Sequence, residues 1–118
     1  MQEELTPQKV MNGMSEKNRM LSKKNEELKE LGEQCAILNR EYRIARAKKI
    51  LELKAEKHPA TLIVDICKGD EGVAQLKSEA ETAKVIYNSC RESIVDIRTS
   101  IDTYRSILAW LKAEMERA

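Results

Sequence analysis

Six cations recur at every seventh position in the second half of the chain: Lys77, Lys84, Arg91, Arg98, Arg105 and Lys112. On a helix such charges stand about 10.5 Å apart along one line. A row of that kind can follow a phosphate backbone, where binding weakens steeply as salt rises. It can equally face acids on another protein, or be the solvated e position of a heptad protein. No aromatic residue interleaves with the row, which speaks against a stacking site for single strands. A second basic run, NREYRIARAKKILELKAEKH at residues 39–58, contains Arg43 and Arg46 and ends at a helix C-terminus, where the dipole favours cations; it is a second candidate anion-binding patch.

Catalytic and metal chemistry lack the residues they need. His58 is the single histidine, and Cys35, Cys67 and Cys90 lie far apart with no CxxC pair. The sequence KGDEG lacks the Lys-Ser/Thr ending of a phosphate loop. No nucleophile stands beside a base, so the expectation is a protein without enzymatic activity, cofactor or metal. The total charge of +1 gives no general attraction to nucleic acid or membrane. No run of 18 apolar residues exists, and the first ten residues have no signal-like pattern, so the expected setting is cytoplasmic with no membrane contact.

The elements that would carry these charges are read from apolar spacing. From Val73 to Met115 a 3-4 ladder runs through Leu76, Ala80, Ala83, Tyr87, Cys90, Ile94, Ile97, Ile101, Tyr104, Leu108 and Leu111 without meeting a charge. A narrow seam sustained over six heptads predicts a long helix that must bury it on another helix. A matching seam in the first half is Leu21, Leu28, Leu31, Cys35, Leu38, Tyr42 and Ala45, after which the phase slips. Composition agrees: 35% charged residues, two prolines and no Phe suit long helices.

The reading is therefore an all-α antiparallel two-helix coiled-coil hairpin, one domain, self-associating into a helical bundle. Residues 1–14 form an N-terminal arm or short helix, with Thr6-Pro7 starting it and Asn12-Gly13 ending it. The first long helix covers 15–57, capped by Ser15 and stopped at His58-Pro59. An apolar connector at 58–69 lies over the tip as a short helix, and the second long helix covers 70–118 with Asp70 as cap. Folding one seam onto the other pairs Leu28 with Ile97, Leu38 with Tyr87, and Cys35 with Cys90. On one flank, Ile86 and Ile107 stand beside the seam and Ile37 and Ile44 lie at c positions, more apolar surface than two helices need. With Trp110, the residues Ile44, Ile86 and Ile107 form a candidate oligomer or partner face.

The stretch EYRIARAKKILELKAEKHPATLIVDICKGDEGVAQLK, residues 41–77, resembles small helical proteins encoded by phages and prophages of Gram-positive bacteria. Those share a Glu-Tyr-Arg-x-Ala-x-Ala-Lys-Lys-Ile-Leu-Glu-Leu run, an apolar turn with Gly-Asp, and a long following helix. The similarity covers about a third of the chain and extends loosely through Tyr87. It implies an accessory protein acting in a bacterial host cell, and it brings no catalytic residues. The resulting expectation is protein–protein binding, for example inhibition of a host CRISPR nuclease in the manner of anti-CRISPR proteins. The alternatives are a nucleic-acid-binding accessory of phage replication or recombination, and a structural component of virion assembly.

Overall fold

The computed structural model describes residues 4–118. It is all-α, with α1 at Pro7–Ala55, α2 at Ala60–Lys68 and α3 at Glu71–Arg117, and no strand among the described residues. The chain divides into two compact units. One joins the residues up to Leu28 with Ser89–Ala118, and the other is Lys29–Asn88. Each pairs a stretch of α1 with an antiparallel stretch of α3, the arrangement of a helical hairpin.

α1 begins earlier than Ser15. The Thr6 hydroxyl accepts the Lys9 backbone N–H at 3.2 Å, and Pro7 takes the first helical position, where its missing N–H is harmless. Asn12-Gly13 does not end this helix. A glycine there costs helix propensity, but it lets the Tyr104 ring lie against the backbone, where a Cβ would come within 2.7 Å of Tyr104 Cζ. Residues 7–14 are thus the first turns of α1 and no separate arm, and residues 1–3 of the expected arm lie outside the described ones.

The other end of α1 closes with a Schellman motif. The His58 N–H donates to Leu53 O at 3.2 Å and the Lys57 N–H to Lys54 O at 3.0 Å. Lys57 takes the left-handed conformation such an ending requires, at φ 63°, a position usually given to glycine. Pro59 then prevents the helix from resuming in place.

The true turn is therefore Glu56–Pro59, and α2 is no cap over the tip. It starts the return leg: Ile63 and Cys67 are buried with Leu53 and Val73, and Tyr42, Ala45 and Ile50 pack against that cluster. The Cys67 thiol points at the Arg46 carbonyl, 3.8 Å away. Asp70 begins α3 by accepting the Val73 N–H at 3.0 Å. That hydrogen bond lowers the Asp70 carboxyl from its ordinary value; partial desolvation opposes it, and Lys49, 3.4 Å away, adds to the lowering. Desolvation pulls the Lys49 ammonium down, but Glu52 and Asp70 together hold it above its ordinary value.

Moving the turn moves the register. Tyr104 meets Gly13 and Tyr87 meets Gly32, while the Cys90 thiol points at the Lys24 carbonyl, 3.7 Å away. The two tyrosine–glycine contacts total 117 and 119, about one heptad below the total of 125 that the seams alone suggest. The expected Cys35–Cys90 pairing is overturned, and all three cysteines are free. A shift of seven keeps seam opposite seam, so patterning alone does not distinguish the two registers.

In the unit containing both termini of the hairpin, Val10, Cys90, Ile94, Ile97 and Ile101 form the buried line. Each fully buried isoleucine contributes about 1.5–3 kcal/mol. Among the described residues no polar or charged residue is buried, and no buried side-chain N or O lacks a hydrogen-bond partner.

Candidate interaction surfaces

The cation row is best described within each unit. In the terminal unit, Arg91, Arg98, Arg105 and Lys112 are all exposed on α3. Asp102 lies 3.4 Å from Arg105, and so does not serve Arg98 as the i,i+4 spacing suggests. Arg91, Arg98 and Lys112 have no ion-pair partner among the described residues, including Glu116 for Lys112. In the tip-side unit, Lys77 sits 3.9 Å from Glu81, whereas exposed Lys84 and Arg43 stand unpaired. Arg46 is half-buried and, with Tyr42, Cys67, Lys77 and Glu81, lines a small hollow of about 220 Å³. The row is a set of fixed charges open to solvent, with weak intrahelical compensation; such exposed pairs are worth little.

The apolar flank also separates between the units. Trp110 is exposed and Ile107 is partly covered in the terminal unit, while Ile44 and Ile86 belong to the tip-side unit. The tip-side unit carries the stronger feature. A groove of about 530 Å³ runs between α1 and α3 over Leu31, Leu38, Ala83 and Ile86, with Gln34 and Glu79 on its walls. Ile86 is 48% exposed, and beside the groove α1 presents Ile37, Ile44 and Leu51 at 44%, 47% and 66%. Helical phase puts the exposed Leu62 and Ile66 of α2 on the same flank. Isolated exposed aliphatics are ordinary, but a run at seven-residue spacing beside a groove marks a contact surface.

The spacing of the sequence points to Ile37, Ile44 and Ile86, whereas the phase slip after Ala45 assigns Leu51 to the seam with Leu53; Leu53 is buried there and Leu51 is exposed. Leu62 and Ile66 were hidden by treating α2 as a connector. Elsewhere the chemistry is sparse. His58 Nε2 lies 3.0 Å from Glu56 Oε2 at the turn, an ion pair only when the ring is protonated. No three His, Cys, Asp or Glu side chains converge as metal ligands among the described residues. No described helix is long and apolar enough to cross a membrane. Comparison with family models, curated proteins and solved structures gives no match to this chain.

Proposed function

We propose that this chain is a non-enzymatic, self-associating accessory protein of phage or prophage origin that works in the bacterial cytoplasm by occupying a surface of another protein. Its concrete version is inhibition of a host defence nuclease, in the manner of anti-CRISPR proteins. The observation that carries the protein-binding part is the open apolar groove of the tip-side unit with Ile37, Ile44, Leu51 and Ile86 around it. Helix-presenting surfaces of this kind take helical partners through aliphatic anchors at i and i+7. The phage setting rests on the resemblance of residues 41–77.

The unpaired Arg91, Arg98 and Lys112 favour one second reading, contact with nucleic-acid phosphates. A single pair of experiments separates them. The chain is expressed in a bacterium with an active CRISPR defence and challenged with a targeted phage, and purified protein is titrated with labelled single- and double-stranded DNA across a salt series. Restored plaquing without DNA binding at low salt supports the inhibitor reading. Salt-sensitive DNA binding that Arg91→Glu with Arg98→Glu abolishes, without restored plaquing, overturns it in favour of the second.

A further inference from the structure

We infer that the apolar flank of the tip-side unit is a two-fold interface with a second copy of this chain, the α1 helices crossing antiparallel with Ile44 on the axis. The inference rests on the reading of this flank as a protein-contact surface and names its occupant.

The argument comes from what stands between the aliphatic anchors. Along α1 the exposed 3-4 ladder reads Gln34, Ile37, Glu41, Ile44, Lys48, Leu51. Glu41 and Lys48 are exposed, opposite in charge, and in no ion pair among the described residues. A two-fold axis through Ile44 sets Ile37 of one copy against Leu51 of the other, and Ile44 against itself. The same operation brings Glu41 to within one residue step, about 1.5 Å along the helix, of Lys48 of the second copy, and Lys48 equally near its Glu41, within reach of these long side chains. One symmetry element thus matches the three aliphatic anchors of α1 and sets each of the two charges beside one of opposite sign, giving two cross pairs, as an isologous contact requires.

A parallel arrangement would place Glu41 beside Glu41 and Lys48 beside Lys48. It is disfavoured by like-charge contact.

The dimensions also suit. From Gln34 to Leu51 the ladder is about 26 Å long. Ile86 and the groove over Leu38 and Ala83 widen the contact beyond one helix, toward the roughly 800 Å² per partner of a specific interface. The result is a four-helix arrangement at the tip-side units, the usual answer for helices with more apolar surface than one seam consumes.

The test is the mass of the full chain in solution, by sedimentation equilibrium and by light scattering on a sizing column. Wild type is expected at twice 13.5 kDa. Glu41→Lys and Lys48→Glu, each alone, are expected to weaken the dimer by about tenfold or more, since each puts two like-charge contacts into it. Mixing the two single variants should restore a one-to-one heterodimer, because every cross contact is then opposite in charge. Ile44→Glu should give a monomer with unchanged helicity.

A monomeric wild type overturns the inference. So does a dimer indifferent to the single reversals, or mixed variants that fail to pair. Plaquing is scored separately: a monomeric chain that still restores plaquing removes the two-fold interface and leaves the protein-binding reading standing.

Discussion

Two glycines of α1 sit beneath tyrosines of α3, and replacing each by alanine should move stability in opposite directions. Alanine inside a helix is favoured over glycine by about 0.8–1.0 kcal/mol. At Gly32 the new methyl would lie 3.4 Å from Tyr87 Cε2 and 3.9 Å from Cδ2, close to ordinary contact. Most of the propensity gain should survive, leaving Gly32→Ala stabilised by about 0.5–1 kcal/mol. At Gly13 the methyl would come to 2.7 Å from Tyr104 Cζ and 2.8 Å from both Cε1 and Oη. Carbon pairs prefer about 3.5–4.0 Å, so the ring must withdraw by roughly 1 Å. Overpacking of that kind costs about 1–3 kcal/mol. Set against the propensity gain, Gly13→Ala should be destabilised by about 0–2 kcal/mol. Urea denaturation followed by far-ultraviolet circular dichroism, at one fixed protein concentration, measures both variants. In a Tyr104→Ala background the obstacle is gone, and Gly13→Ala should become stabilising by about 1 kcal/mol. If Gly13→Ala gains as much as Gly32→Ala in the wild-type background, the close approach of Tyr104 to α1 is wrong, and with it the register in that unit.

The turn and the second cap give two further tests. Lys57→Gly relieves a left-handed lysine inside a Schellman ending and should raise stability by about 1 kcal/mol in the same urea assay; a loss would deny that conformation. Asp70 is held below its ordinary value of 3.8, so its stabilising effect is complete above that pH and disappears as pH falls through the lower folded value. The stability gap between wild type and Asp70→Asn should therefore be widest near neutrality and close in strong acid, and a gap independent of pH would remove the carboxylate from the cap.

The hairpin itself was legible because its seams are long: a charge-free 3-4 ladder from Val73 to Met115 needs a second helical seam to bury it, and the first half of the chain supplies one. What misled was local. His58-Pro59 marks the end of α1, but reading residues 58–69 as a helix lying over the tip centres the hairpin inside α2 instead of at Glu56–Pro59. Once Ile63 and Cys67 are placed on the return leg, the seven-residue displacement of the register follows. Tyr104 and Tyr87 could not be assigned to Gly13 and Gly32 from spacing, since a heptad repeat matches itself equally well one step along. The candidate surface was visible in part for the same reason. The cations and Ile44 obey the repeat and could be read, whereas Leu51, Leu62 and Ile66 lie beyond the phase slip and needed the turn to be located first.

The small cluster of Leu53, Ile63, Cys67 and Val73 thereby acquires a role out of proportion to its size. In the displaced register the seams would still be satisfied, but α2 would be released from α1 and Ile63 and Cys67 would face water. That cluster works as the pawl of a ratchet: the repeats permit sliding in steps of seven, and it holds one tooth. Length changes in this protein are constrained accordingly. A one-residue insertion in either long helix turns everything beyond it by about 100° and destroys the seam. Seven residues added to both arms would keep seam opposite seam and leave the tip unchanged, so growth in matched heptads, measured outward from Pro59, preserves the register.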